Sequence, residues 1–211
     1  MKNVVVLAAL AGIASAAAAG SNATLSIVAS QSVVDSSATS SITLQVFGDA
    51  SIATHITGAA FTMNATGGAG VVGGIALDSV AAWGALGEDS FGDAGDGNHA
   101  GAIMGQIAFL PFIQPDAASM LGNGPVLLGT FVVDIIGGSE GDVTWTVGGI
   151  AGTDFAIELL DVNANPGGNP PGETFQILDP SFGSATVSVV PAPSAMALLG
   201  LGGLLAGQHH R

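Results

Sequence analysis

The densest set of side chains with metal-binding chemistry lies in the segment GEDSFGDAGDGNH, residues 87–99. Carboxylate and amide oxygens crowded onto a glycine-containing backbone suit Ca²⁺, which is bound by several oxygen ligands at once. The spacing differs from that of an EF-hand, so the alternative is a solvated acidic loop with Asx turns. Calcium is the one cofactor that the sequence suggests. Its candidate ligands are Glu88, Asp89, Asp93, Asp96 and Asn98.

Two other segments resemble ligand-binding loops without completing the pattern. DVNANPGGNPPGE (residues 161–173) begins like a calcium loop, but Pro166 stands where the invariant glycine is needed, which favours a turn. GAGVVG (residues 68–73) has the glycine spacing of a dinucleotide-binding loop, with Glu88 downstream. The alternating strands and helices of such a domain are missing from the pattern, and a chain with 33 glycines produces this spacing by chance.

The sequence contains no motif of a serine hydrolase or a zinc protease. His55 and His99 lack the spacing of metal ligands, and we predict that both lie in loops or on the surface. The chain has 16 acidic residues, so pairs of neighbouring carboxylates are inevitable and their presence is not informative. We predict no catalytic residues, and a secreted glycosidase is the weakest of the alternatives.

The distribution of charge is more informative than its sum. The cations of the chain are Lys2 and Arg211, and all 16 acids lie between Asp35 and Asp179. Nucleic acid binding is excluded, because it requires lysine or arginine at the phosphates. The acids have no lysine or arginine partner between the two ends, so they must be solvated, hydrogen-bonded or bound to metal cations. Cysteine is absent as well, so disulfides cannot stabilise the fold.

Apolar and polar residues alternate with a period of two in many short segments of the body. In SITLQVF the apolar positions are Ile42, Leu44 and Val46. In DVTWTV the same alternation predicts that Trp145 lies in the core. Such segments, separated by clusters of glycine, aspartate, asparagine and serine, predict an all-β chain with a single antiparallel β-sandwich. An immunoglobulin-like arrangement is expected, with a jelly roll as the alternative. The sandwich is predicted to occupy residues 20–188.

The N-terminal segment, residues 1–19, has the three parts of a secretory signal peptide. Lys2 precedes an apolar stretch, and small residues follow it. The A-x-A pattern at Ala17 and Ala19 predicts cleavage next to Gly20. We therefore expect export, with signal peptidase as a processing partner.

The C-terminal segment, residues 189–211, combines a proline pair with an apolar run and a basic end. The prolines interrupt any strand that reaches them, because proline has no N–H group to donate. The run Ser194 to Gly207 is uncharged, and as a helix it would span only about 21 Å, so we expect transient rather than permanent membrane contact. The residues of the sorting motif are Val190, Pro191, Ala192, Pro193 and Arg211.

This tail resembles a bacterial PEP-CTERM sorting signal. The resemblance implies export, a transient inner-membrane anchor at the C-terminal hydrophobic helix, and processing by an exosortase-type enzyme. It also implies release to the cell surface or to extracellular polymer. Ala192 stands where that family usually has glutamate, and the end QHHR replaces an arginine-rich cluster.

A second resemblance concerns the body of the chain. HITGAAFTMNATGGAGVVGGIAL, followed later by LLGTFVVDII, resembles cohesin-like and related carbohydrate-binding sandwiches. The matching positions are Gly58, Phe61, Gly129 and Phe131. This resemblance implies an architecture rather than a ligand.

These features predict an exported, acidic, non-enzymatic protein of the cell surface or extracellular matrix. The alternative from another class is a glycan-binding module that uses extracellular polysaccharide as its partner. Trp83 is the candidate stacking residue of that module, because it lies outside the regular alternation.

Overall fold

The computed structural model describes residues 23–80, 88–105, 124–153, 155–161, 163–164, 166–167 and 172–191. Every element within these ranges is a β-strand. The strands are β1 (Ala23–Ala29), β2 (Val33–Asp35), β3 (Ser41–Ala50), β4 (His55–Thr66), β5 (Val72–Val80), β6 (Glu88–Ser90), β7 (Asp93–Gly95), β8 (Asn98–Gly105), β9 (Val126–Ile135), β10 (Gly141–Gly149), β11 (Ile157–Asp161), β12 (Glu173–Ile177), β13 (Ser181–Phe182) and β14 (Ser184–Val190).

The strands form two sheets, which confirms the predicted β-sandwich. The first sheet has the order β13-β1-β3-β9-β5, and the second contains the path β12-β11-β4-β10-β14-β2. In the second sheet β8 pairs with β4, and β6 and β7 pair with β8. Pairing is antiparallel except at two short contacts, β1 with β13 and β2 with β14, which are parallel.

Strand β4 organises the second sheet because both of its edges are used along most of its length. Ala59 is paired with Ile157 of β11 and also with Met104 of β8, so these two strands lie on opposite edges. Phe61 is likewise paired with β10 and with β8. Consequently β10 and β11 lie end to end along one edge of β4, and the β6–β8 segment extends the sheet from the other edge.

The core lies between the sheets and follows the alternation of the sequence. Trp145 is fully buried, as predicted, together with Phe61 and Phe131. The two phenylalanine rings meet edge to face with centroids 6.1 Å apart, a favoured geometry for aromatic pairs. Because these three residues are contributed by β4, β9 and β10, the core connects both sheets directly.

The two ends of the described chain leave the sandwich at opposite ends. Strands β1 and β13, and then β2 and β14, run side by side as both segments cross from the first sheet to the second. Ala23 is paired with Ala50 at one end, here called the N-terminal end, and Val190 is paired with Asp35 at the other, the C-terminal end. The ten residues of β3 run between these ends, a distance of about 33 Å.

Within the described ranges, no helix has the length and hydrophobicity that a membrane span requires. The predicted C-terminal helix lies outside those ranges, as does the predicted signal peptide.

Candidate functional site

The acidic segment folds as a β-hairpin rather than as an open loop. Strands β6 and β7 pair successively with β8, and we call the three strands the acidic hairpin. Asp96 and Gly97 form its turn with φ angles of 53° and 79°. Positive φ at both central residues is the mark of a type I′ turn, for which Asp-Gly is a preferred sequence.

Two of the candidate calcium ligands brace the hairpin against its neighbours. Asp93 Oδ1 accepts hydrogen bonds from the N–H groups of Gly95, at 3.1 Å, and Ile75 of β5, at 3.3 Å. Asn98 Oδ1 accepts one from the N–H of Ala65 in β4, at 2.8 Å, and its Nδ2 donates to the Gly95 carbonyl, also at 2.8 Å. These side chains therefore fix the hairpin to one strand of each sheet.

The remaining candidates are spread along the hairpin. Asp89 is exposed on β6 and Asp96 is exposed in the turn, while Glu88 is described only by its backbone. Among the described residues, no group of three or more histidines, aspartates or glutamates is placed to hold a metal ion. Calcium binding by this segment stays a prediction.

His99 is buried, so the prediction that it lies on the surface is wrong. Only 2% of the residue is exposed, and its ring meets that of Phe131 edge to face with centroids 5.0 Å apart. Its Nε2 forms a hydrogen bond of 3.0 Å with Ser90 Oγ on the adjacent strand. The Asp-Gly turn is the sequence feature that could have predicted this burial. It makes Asn98 the first residue of β8, so the next side chain, His99, points toward the core.

Burial lowers the pKa of His99 below its ordinary value of 6.5, and the nearby carboxylate of Asp93 partly offsets the effect. The unfolded chain therefore binds a proton at His99 more readily than the folded one does. The stability associated with a neutral His99 is complete above pH 6.5 and is lost as the pH falls below it.

We expect the free energy of unfolding to decrease as the pH falls below 6.5, by up to about 1.4 kcal/mol per pH unit from this residue. His99→Gln should remove that part of the slope, whereas His55→Gln, at the other histidine of the domain, should retain it. Denaturant unfolding followed by circular dichroism at several pH values measures both slopes. Equal slopes in the two variants would contradict the assignment.

Trp145 fixes the turn of the acidic hairpin to the core. Its indole N–H donates to the Gly97 carbonyl at 3.0 Å, within the buried interior. The N–H of Gly97 donates in turn to the carbonyl of Gly73 in β5, at 3.1 Å. The hairpin is thus held by its turn as well as by Asp93, Asn98 and His99. The candidate stacking residue Trp83 lies outside the described residues.

The glycine-rich motif GAGVVG serves the fold. It lies where the chain crosses from β4 to β5, and a strand follows it rather than the helix of a dinucleotide-binding loop. A Cβ on Gly68 would overlap the Asp96 carbonyl oxygen of the hairpin turn. In the other motif, for which the sequence predicts a turn, Asp161 Oδ1 accepts a hydrogen bond of 2.9 Å from the N–H of Asn163, as in an Asx turn.

The outer face of the second sheet presents hydroxyl and amide groups. Thr144 and Thr186 stand side by side with their Oγ1 atoms 2.8 Å apart. A single carboxylate, Asp142, lies on the same face of β10, where it accepts a hydrogen bond from Ser188 Oγ. The positions that alternate outward on β4, β10 and β14 include Thr62, Asn64, Thr66, Thr144, Thr146, Ser184, Thr186 and Ser188. We call this set the hydroxyl face.

Apolar side chains border the hydroxyl face at β8. Phe91 is exposed, and it lies with Ile150 over Gly101, where a Cβ would be 2.9 Å from a carbon of each side chain. A flat hydroxyl surface beside an exposed ring can both hydrogen-bond and stack a ligand.

Glu158 is a buried carboxylate that sequence reasoning missed. Its Oε1 accepts a hydrogen bond from Thr57 Oγ1 at 3.3 Å, and its Oε2 accepts one from Gln176 Nε2 at 3.1 Å. Both oxygens are therefore satisfied by neutral donors, as a domain without lysine and arginine requires. The one sequence feature that could have predicted this burial is Gln176 on β12. It is recognisable as the partner of Glu158 only once the register of β11 and β12 is known.

The last strand extends two residues into the predicted C-terminal segment, since Val189 and Val190 belong to β14. Val190 closes β14, and its carbonyl accepts a hydrogen bond of 2.9 Å from the N–H of Ser36. Pro191 follows in an exposed, non-strand conformation, since it has no N–H with which to continue the ladder. The other predicted processing residues, Ala17, Ala19, Gly20, Ala192, Pro193 and Arg211, lie outside the described residues.

Comparison with known proteins gives similarity of structure only. No protein-family model and no curated protein matches the chain. The structure is similar to the seventh ScaB type I cohesin from Pseudobacteroides cellulosolvens, with 10% identity and a TM-score of 0.44, over 82% of this chain and 95% of that one. It is also similar to the sixth cohesin of Acetivibrio cellulolyticus scaffoldin B, solved with a Cel5 dockerin, with 11% identity and a TM-score of 0.43, over 82% and 99% of the two chains. Both of these proteins are cohesins.

Proposed function

We propose that this is an exported, acidic, non-enzymatic protein of the cell surface or extracellular matrix, held transiently in the membrane by its C-terminal segment. The observation that carries the proposal is the position of the strands. The first begins at Ala23, just after the predicted cleavage next to Gly20, and the last ends at Val190, just before the prolines. Signal peptidase and an exosortase-type enzyme can therefore remove both ends without cutting a described strand.

Deletion of residues 192–211 tests this proposal. We expect the truncated protein to keep the circular dichroism spectrum of the full chain and to appear free in the culture medium. The full chain should fractionate first with the membrane and later with the cell surface, and mass spectrometry should show that both ends have been removed. Deletion of residues 1–19 is the matched control, because it blocks export and leaves the tail in place. Cytosolic full-length protein that retains Met1 and Arg211 would refute the proposal.

The excess of carboxylates gives a prediction about salt. The formal net charge is −14, and like charges in one domain repel each other until salt screens them. We expect near-molar NaCl to stabilise the domain by about 1 kcal/mol, which raises Tm by about 2–4 °C at this size. CaCl₂ at equal ionic strength should raise it further if the acidic hairpin binds calcium, and Asp89→Asn with Asp96→Asn should abolish that extra increase. A Tm that neither salt changes would contradict the premise of repulsion.

A second candidate function, glycan binding, is favoured by the hydroxyl face and by Phe91. Among the outward positions of β4, β10 and β14 that form the face, Asp142 is the single carboxylate, so we expect the face to suit a neutral polysaccharide better than an anionic one. Affinity electrophoresis in gels containing neutral or anionic polysaccharides tests the idea. Phe91→Ala should abolish retardation by the neutral polymer, and Phe47→Ala, on the outer face of the other sheet, should not. Loss of retardation in Trp83→Ala alone would place the site at Trp83 instead.

We do not propose a glycosidase. The carboxylates of Asp93 and Asp134 approach each other around Gly74, where a Cβ would lie 3.4 Å and 3.9 Å from their Oδ2 atoms. Both residues are exposed, whereas the acid catalyst of a glycosidase needs an environment that raises its pKa.

A further inference from the structure

Three of the large hydrophobic side chains that are exposed on the described surface lie at the C-terminal end of the sandwich. Val33 is 60% exposed, Ile136 42% and Val190 40%. We call these three residues the terminal patch. Isolated exposed apolar residues need no explanation, but several at one end of a domain indicate a contact surface.

Hydrogen bonds around Ser36 join the segments that carry the three members of the patch. The N–H of Ser36 donates to the Val190 carbonyl at 2.9 Å, and its Oγ donates to the Ser139 carbonyl at 2.7 Å. The turn that contains Ile136 is thereby fixed to the end of β14. Val33 is paired with Ser188, two residues before Val190, so both valines point outward from the same face of the sheet. The three residues therefore lie on connected segments at one end of the domain.

The chain that follows the patch determines what the patch meets. Only three residues, Pro191 to Pro193, separate Val190 from the uncharged run that begins at Ser194. A fully extended chain covers about 3.3–3.6 Å per residue, so Val190 lies within about 14 Å of the start of that run. When the run enters a membrane, this end of the sandwich is held at the lipid interface. A tethered contact is intramolecular, so even a small apolar surface can remain in place.

We propose that the terminal patch rests on the lipid interface of the membrane that holds the tail, so that the sandwich stands with its N-terminal end outward. This inference rests on the proposed membrane anchoring. The lipid is of a definite kind, because the patch is bordered by the carboxylates of Asp35 and Asp142 and by Glu140 before β10. These groups repel anionic headgroups, and the patch therefore fits a zwitterionic surface.

The absence of cysteine from the chain makes a clean experiment available. Val33→Cys and Ile136→Cys are each labelled with an environment-sensitive fluorophore, and the full chain is reconstituted in phosphatidylcholine vesicles that carry a lipid-borne quencher. The matched control is Ile52→Cys, which is 39% exposed at the N-terminal end. We expect quenching at positions 33 and 136 to exceed that at position 52 by at least about twofold. Replacing part of the phosphatidylcholine by phosphatidylglycerol should reduce the difference.

Sedimentation with the vesicles separates this inference from the proposed anchoring. If the labelled chain sediments and the three positions are quenched equally, the proposed contact of the terminal patch with lipid is wrong, while the proposed membrane anchoring by the tail is retained. If the chain does not sediment, both are wrong. Protection of positions 33 and 136 from a soluble quencher in the absence of vesicles would show that the tail or a second copy covers the patch, which would also overturn the proposal. Deleting residues 192–211 should abolish the quenching.

Discussion

Replacement of Trp145 by alanine is expected to lower the free energy of unfolding by about 4 kcal/mol. The side chain is fully buried between the sheets, so its removal leaves a cavity that the flat strands on either side cannot close. The substitution also leaves the Gly97 carbonyl without the indole N–H that binds it at 3.0 Å. Trp145→Phe keeps most of the apolar volume, so it should lower the free energy of unfolding by about half as much. Most of that smaller loss should come from the Gly97 carbonyl, which the phenylalanine leaves without a hydrogen-bond donor.

Thr146→Ala is the matched control for this series. Thr146 follows Trp145 on β10 and is exposed on the hydroxyl face, so its substitution should change stability by less than about 0.5 kcal/mol. Chemical denaturation with circular dichroism detection gives the three differences. Amide hydrogen exchange adds a local readout, because loss of Trp145 should release the Gly97 amide of the hairpin turn before the core strands open. A change below about 1 kcal/mol in Trp145→Ala would contradict the placement of this residue.

The parts of the fold that depend on local pattern could be read from the sequence. Alternation in β3 and β10 assigned Leu44, Val46 and Trp145 to the core correctly, because successive side chains of a strand always point to opposite faces. The position of the last strand was also readable, since proline after Val190 has no N–H with which to extend the ladder.

The parts that depend on strand register could not be read in the same way. Glu158 is buried in an apolar strand, and its partners Thr57 and Gln176 lie 101 and 18 residues away in the sequence, on two different strands. His99 lies on β8, and the pairing of β8 with β4 shifts register between Phe61 and Met63. A shift of one residue reverses the face of every side chain that follows, so the period of two alone cannot assign such positions.

The absence of cations explains where the polar groups lie. A pair of like charges directly opposite each other on two strands is destabilising, and this domain has no lysine or arginine to place between its acids. The hydroxyl face uses pairs such as Thr144 with Thr186 instead, while Asp35, Asp96 and Asp161 lie at strand ends or in turns. The composition therefore favours a face built mainly from hydroxyl and amide groups, which is the surface on which the proposed glycan binding depends.

The three glycines of GAGVVG give the second large prediction, because the surroundings of each glycine differ. Gly68 has no space for a side chain, since a Cβ would overlap the carbonyl oxygen of Asp96. Gly70 has a φ of 72° with open space around it, and Gly73 has ordinary contacts, the nearest at 3.4 Å from Asp134 Cβ. We expect Gly68→Ala to destabilise the domain by about 3 kcal/mol and Gly70→Ala by about 1 kcal/mol.

Gly73→Ala is the control, and it should be neutral or stabilising by up to about 1 kcal/mol, because alanine restricts the unfolded chain more than glycine does. The graded order distinguishes packing from ligand binding, since a dinucleotide loop would need all three glycines for close approach to a phosphate. Thermal and chemical unfolding of the three variants, with and without added dinucleotide, measures the order. The overlap at Gly68 involves backbone of the hairpin turn, so it cannot be relieved by rotating a side chain. Equal destabilisation at positions 68, 70 and 73 would show that the crossover from β4 to β5 does not pack against the acidic hairpin.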